Sequence, residues 1–194
     1  MTLIPGDTID FSEDQQNTAV INGHYCPVVR YFENSLVFWN ERFEDPGVQF
    51  ESTNSSNTDI SLTQDPLLVF NHNPGDNSQG SGIIELTSTE PYFEIRSTHE
   101  FNPSSGREVY LEFNYLSTCT LQIGVYEMAP NEIKVLGKGI FPNTEWSKIY
   151  IELTGEIAQR VNASSYSVFI EGLIDNDESE GIVLLDNIKL VYPE

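Results

Sequence analysis

Tyr110, Tyr126 and Tyr150 stand two or four positions from Glu112, Asn114, Gln122 and Glu152, within text that alternates apolar and polar residues. Flat aromatic rings beside planar amides and carboxylates are what a sugar-recognising surface needs: the ring covers an apolar sugar face and the polar groups take its hydroxyls. If their strands are adjacent, Tyr110, Tyr126, Tyr150, Glu112, Asn114 and Gln122 form one ligand-binding platform on the hydrated side of a sheet. The competing reading is that tyrosine suits exposed strand positions and stabilises cross-strand pairs without any ligand.

Catalytic chemistry finds less support. A glycosidase needs two carboxylates facing a cleft, roughly 5 to 10 Å apart. Glu112 and Glu152 share a parity that could meet this, but 30 acids in 194 residues generate such pairs freely, and no Glu-x-Asp-x-x-Glu strand occurs. His24, His72 and His99 lie in unrelated text, with no Gly-x-Ser-x-Gly nucleophile motif. The expectation is therefore a non-catalytic domain, with a glycoside hydrolase as an alternative. Asp175, Asp177, Ser179 and Asp186 match positions 1, 3, 5 and 12 of an EF-hand loop. However, the turn glycine comes one residue late, at Gly181, and the flanks read as strands, so a solvated hairpin loop is expected. Cys26 and Cys119 form either one disulfide or two buried thiols; no CxxC or HxxxH spacing suggests zinc.

The elements that must position these residues are strands. Val109, Leu111, Phe113 and Tyr115 share one face, and Cys119, Leu121, Ile123 and Val125 repeat the pattern, which marks half-buried antiparallel sheet. Turn residues recur every 8 to 15 positions or so, the rhythm of an all-β sandwich. The expected strands are 8–11, 18–22, 25–31, 36–40, 48–52, 58–62, 67–71, 82–87, 92–97, 108–116, 120–126, 133–137, 148–154, 165–171 and 181–192. Only 154–162 reads as helix, with Thr154 as its cap and Ile157, Ala158 and Val161 as its apolar stripe. Trp39 and Trp146 sit beside apolar strand text and are expected in the core, a bulge or a surface role staying open for Trp146. The domain layout is an N-terminal extension, 1–35, which can add edge strands, followed by one sandwich over 36–194.

Charge narrows the partners. With 9 bases against 30 acids the formal net charge is −21, a field that repels nucleic acid and anionic membrane surfaces. It suits a neutral ligand, a cation, or simple solubility. No signal peptide opens the chain and no apolar run approaches the roughly 20 residues of a membrane span. Either the protein is cytoplasmic, or a signal or lipid-anchor segment is absent from this chain. A composition rich in Asn, Ser, Thr and Tyr and poor in Lys favours the second, hence an extracytoplasmic location at a cell surface or in a periplasm.

Three stretches resemble jelly-roll carbohydrate-binding modules of the galactose-binding-like type. Trp39-Asn40-Glu41-Arg42-Phe43-Glu44-Asp45-Pro46 resembles their opening, where Asn-x-x-Phe-Glu leads into the first strand. Ser81-Gly82-Ile83-Ile84-Glu85-Leu86 looks like the step into an early strand, and Val183-Leu184-Leu185-Asp186-Asn187-Ile188-Lys189-Leu190 looks like the last strand. The similarity spans roughly 36–192 and extends to surface lipoproteins of Bacteroidetes-type bacteria with no assigned activity. It implies an all-β, two-sheet antiparallel jelly-roll sandwich that recognises a glycan or other extracellular ligand. The competing class is a structural or interaction subunit of a surface assembly that docks a surface protein through exposed strand edges or the N-terminal extension. The resemblance also implies a structural Ca2+ joining first and last strands, with Glu44 and Asp186 among its ligands.

Overall fold

The computed structural model describes residues 18–21, 24–27, 35–45, 47–53, 58–70, 78–103, 107–128, 132–160, 163–175 and 177–193. They fall into two units, Met1–Tyr31 and Phe32–Glu194. In the first, β1 (Thr18–Ile21) and β2 (His24–Pro27) pair as an antiparallel hairpin with Thr18 opposite Pro27. The strand expected at 8–11 lies outside the described residues.

The second unit runs β3 (Ser35–Glu41), β4 (Phe50–Ser52), β5 (Ser61–Thr63), β6 (Ser81–Thr87), β7 (Tyr92–Ser97), β8 (Tyr110–Ser117), β9 (Thr120–Glu127) and β10 (Ile133–Ile140). It continues through β11 (Asn143–Glu152), the short helix α1 (Thr154–Ala158), β12 (Tyr166–Leu173) and β13 (Glu180–Pro193). Two antiparallel sheets result. One has the order β10-β9-β12-β7-β4; the other has the order β11-β8-β13-β6-β5, with β3 also beside β13. β13 is long enough to pair with β8 on one side and, on the other, with β6 first and then β3.

The dry faces close on each other as period-2 patterning requires. Leu111, Phe113 and Tyr115 of β8 meet Leu121, Ile123 and Val125 of β9 in one core, together with Phe93, Ile95, Val168, Ile170, Leu185 and Leu190. This is the expected two-sheet jelly-roll sandwich. Trp39 is buried against Phe50, ring centroids 5.8 Å apart, in agreement with a core role.

Several local expectations are corrected. Residues 67–70 form a turn, because Asp65 captures the chain: its carbonyl accepts from Leu68 and Val69, and its carboxylate from Leu67. The helix covers only Thr154–Ala158, and its N-cap is Leu153 with no side-chain cap bond. Thr154 cannot cap it because its hydroxyl accepts the backbone N–H of Val109 at 3.0 Å. Trp146 is half-buried rather than core: β11 shifts register between Asn143 and Ser147, and the indole packs edge-on against Phe70 at 5.2 Å. Cys119 is a buried free thiol; the side chain of Cys26 lies outside the described residues.

Candidate functional site

The structure divides the expected tyrosine platform between the two outer faces. Tyr110, Glu112 and Asn114 stand on β8 of the six-stranded sheet, where Tyr150 of β11 lies opposite Glu112. Tyr126 and Gln122 stand on β9, in the five-stranded sheet. The single platform is therefore a mistaken expectation, and the reason is the corner between β8 and β9. Two residues normally make a hairpin, but here Thr118 bonds across to β13, its N–H donating to Ile182 O and its hydroxyl accepting from Ile182 N. The corner sends β9 into the opposite sheet. Tyr110 and Tyr126 are also buried, at 6% and 8% exposure, so neither offers an open ring.

The densest polar chemistry lies on the outer face of the five-stranded sheet. Register places Glu94 of β7 opposite Glu171 of β12, and Glu171 opposite Gln122 of β9. Lys134 of β10 lies opposite Tyr126 and reaches inward, binding Glu94 at 2.6 Å and Glu171 at 2.7 Å. Tyr92 donates its hydroxyl to the same two carboxylates, at 2.7 and 2.5 Å. Tyr126 and Thr53 donate to the other oxygen of Glu94, at 2.5 and 2.6 Å. Burial alone would raise the Glu94 pKa, but the bonds from Lys134, Thr53, Tyr126 and Tyr92 outweigh it and bring it down to about 2. Burial and then the two carboxylates push the Tyr92 hydroxyl up, and burial and Glu94 do the same to Tyr126. Both phenols stay protonated donors.

Beneath this network Phe169 is fully buried although it points outward. Its ring lies over Gly124, where a Cβ would come within 2.7 Å of it, and Tyr126 packs edge-on at 5.4 Å. Lys134 sits 4.6 Å from the ring centroid. Arg96 extends the network, lying 5.9 Å over Tyr126 and clamped by Glu51 and Glu132. One level along the strands, Leu173 stands between Thr120 and Tyr92. Phe141 follows Ile140, the partner of Leu121, and so reaches the level of Thr120. Phe141 is 83% exposed and Leu173 53%, giving an apolar rim beside the polar row of Gln122, Glu171 and Glu94. Tyr92, Glu94, Lys134 and Glu171 were not among the expected site residues. Tyr92, Glu94 and Arg96 do share the wet parity of one expected strand, which is the one local signal they carry.

On the other face Glu112 holds two cations, Lys148 at 2.6 Å and Lys189 at 3.1 Å. Burial would raise its pKa; the two ammonium groups overcome that and lower it. The acidic turn after β12 lines a cleft of about 760 Å³ with Glu85, Asp175, Glu178 and Glu180, and Glu178 closes it as a turn onto the Asp175 carbonyl. Its acids are exposed, as a solvated hairpin loop requires.

The expected calcium position holds a different electrostatic situation. Asp186 is fully buried and accepts from Ser78 at 2.8 Å, Ser81 at 3.0 Å and the Asn187 N–H at 2.6 Å. Burial lifts its pKa to about 6 against these bonds, and Glu44 nearby adds repulsion. Glu44 accepts from the N–H of Gln79, the residue after Ser78, so the structure brings the two expected ligands into one neighbourhood. Phe43, held at φ 55 by a bond from its N–H to Glu41, turns its carbonyl toward Gly80, where a Cβ would come within 2.3 Å. Among the described residues no cluster of three or more metal-binding side chains occurs. Two carboxylates with hydroxyl and carbonyl oxygens around them still fit a hard cation, because Asp186 is a buried acid facing another acid.

No protein-family model matches the chain, and no curated protein does. Solved structures do. The N-terminal CBM22-1-CBM22-2 tandem domain of Paenibacillus barcinonensis Xyn10C matches at TM-score 0.57 and 11% identity, over 82% of this chain and 46% of that one. The enzymatically active domain of bacteriophage CBA120 tailspike protein 4 matches at TM-score 0.54 and 12% identity, over 78% of this chain and 20% of that one. The family 11 carbohydrate-binding module of the Clostridium thermocellum cellulase Lic26A-Cel5E matches at TM-score 0.52 and 11% identity, over 81% of this chain and 94% of the module. Likeness at such identities speaks to fold: the chain has the two-sheet jelly-roll sandwich that carbohydrate-binding modules use.

Proposed function

We propose that the protein binds a glycan on the outer face of its five-stranded sheet and does not turn it over. The observation that carries this reading is the Tyr92–Glu94–Lys134–Glu171 network, a rigid set of polar groups beside Gln122 and an apolar rim of Leu173 and Phe141. Sugars need that combination, with hydroxyl partners held in place and apolar surface for the ring faces. The fold shared with carbohydrate-binding modules adds support. Glycan ligands imply work outside the cytoplasm, in keeping with the acidic composition.

The protonation state of Glu94 supports the absence of turnover. A glycosidase needs one carboxyl to carry a proton to the leaving oxygen. Glu94, the most buried carboxylate of this face, is held ionised at any physiological pH and so does not carry that proton. A calcium ion, held by Glu44 and Asp186, would supply the positive charge that Asp186 lacks and stiffen the join between β13 and the turn before β6.

A glycan array followed by calorimetry tests the reading. Gln122→Ala and Tyr92→Phe are expected to weaken binding of the best glycan about tenfold, near 1.4 kcal/mol, while Tyr150→Ala on the other sheet leaves it unchanged. Loss of binding with Tyr150→Ala alone would move the site to the six-stranded sheet and defeat the proposal. A second reading, a docking subunit of a surface assembly, is favoured by one observation: β3 exposes Leu36 at 49% and Val37 at 45%.

A further inference from the structure

The ion pairs on the five-stranded sheet bear on the class of glycan, an inference that rests on the reading above. Among the described residues, Arg96 and Lys134 are the bases of this face, and each is held between two carboxylates. Arg96 binds Glu51 at 2.9 Å and Glu132 at 2.8 Å, while Lys134 binds Glu94 and Glu171. Four acids against two bases leave the face negative, on a chain whose net charge is −21.

Among the described residues of this face, a uronate or sulfated sugar meets no uncommitted cation. To pair with Arg96 or Lys134 it must displace a glutamate, leaving that carboxylate beside its own negative charge. Neutral hydroxyls meet the opposite situation, because the Glu171 carboxylate can accept an O–H donor in a charge-assisted bond. The second oxygen of Glu171 takes no part in the Lys134 and Tyr92 bonds and lies in the same row as Gln122.

We infer that this face selects uncharged glycans and refuses anionic ones, and that Glu51 and Glu132 set the choice by denying Arg96 to an incoming anion. Those two are the exposed members of the set, at 51% and 50%, so they can be changed without opening the buried pair around Lys134. Exposure also makes their effect sensitive to salt, since screening acts over about 8 Å at physiological ionic strength.

The test is a glycan array carrying neutral, uronate-bearing and sulfated glycans, probed at low salt with the wild type and with the double variant Glu51→Gln/Glu132→Gln. Expected signals for the wild type fall on neutral glycans, with uronate-bearing analogues at least about tenfold weaker. The double variant is expected to keep the neutral signals and gain uronate binding, a gain that added salt erodes. Strong wild-type binding to anionic glycans would overturn the charge selection while leaving glycan binding intact. An unchanged pattern in the double variant would overturn the role of Glu51 and Glu132. A silent array would take away the glycan reading itself, and this inference with it.

Discussion

Glu94 and Asp186 are both buried acids on the outward side of a sheet, and their pKa values move in opposite directions, to about 2 and about 6. Burial pushes both upward. Both accept three or more hydrogen bonds. The difference is one ammonium group: Lys134 reaches Glu94, whereas Asp186 has hydroxyls, an N–H and a neighbouring acid. Glu112 extends the series with two ammonium groups on one carboxylate. The comparison predicts that the charge, more than the neutral donors, decides the direction.

Removing that charge should have the largest effect. Lys134→Met leaves Glu94 and Glu171 facing each other without a cation, and should cost about 3 kcal/mol, the low end for a broken buried pair because Lys134 is itself partly exposed. Urea unfolding measures it. The pH profile should change sign as well. In the wild type, Glu94 has a depressed pKa, so its contribution is present above about pH 4.5 and is lost as pH falls toward about 2. In the variant Glu94 resembles Asp186, and stability at neutral pH should improve on acidification. A variant that keeps the wild-type profile would show that the hydroxyls of Tyr92, Tyr126 and Thr53 hold Glu94 ionised by themselves.

The effect at Asp186 should be somewhat smaller. Its raised pKa means that its contribution is present below about pH 3.8 and is lost as pH rises through about 6, with no further change above. In chelator at pH 7, Asp186→Asn should therefore stabilise the protein by about 2 kcal/mol, less whatever the altered hydrogen bonds cost. Calcium should raise the wild-type Tm and leave that of the variant unmoved. A Tm insensitive to calcium in the wild type would remove the structural ion, and Asp186 would then stand as an uncompensated buried acid.

Period-2 alternation made the sandwich legible. Leu111, Phe113, Leu121 and Ile123 announce their dry faces locally, because the pleat repeats every two residues whatever the neighbouring strand is. The site was hidden because it depends on which strands are neighbours. Glu94, Lys134 and Glu171 are far apart in the chain and meet only through the order β10-β9-β12-β7. Tyr110 and Tyr126 illustrate the converse: close in sequence and alike in parity, they part at Thr118, whose bonds to Ile182 turn the chain into the other sheet. Glu44 and Asp186 were reached through motif resemblance, since nothing in their spacing brings positions 44 and 186 together.

The smallest expected effect sharpens the series from its other end. Glu112 keeps Lys148 at 2.6 Å if Lys189, the longer contact at 3.1 Å, is replaced. Lys189→Met should therefore cost no more than about 1 kcal/mol, as for a partly exposed pair with a remaining partner. The Glu112 carboxylate should stay ionised at neutral pH, which carboxyl carbon NMR shifts would follow directly. If one ammonium is enough for Glu112, the single Lys134 at Glu94 is a sufficient arrangement, and its sharing with Glu171 is what makes it irreplaceable. A loss as large as that of Lys134→Met would instead mean that buried acids in this sandwich need two cations, leaving the low pKa of Glu94 to be explained by its three hydroxyl donors.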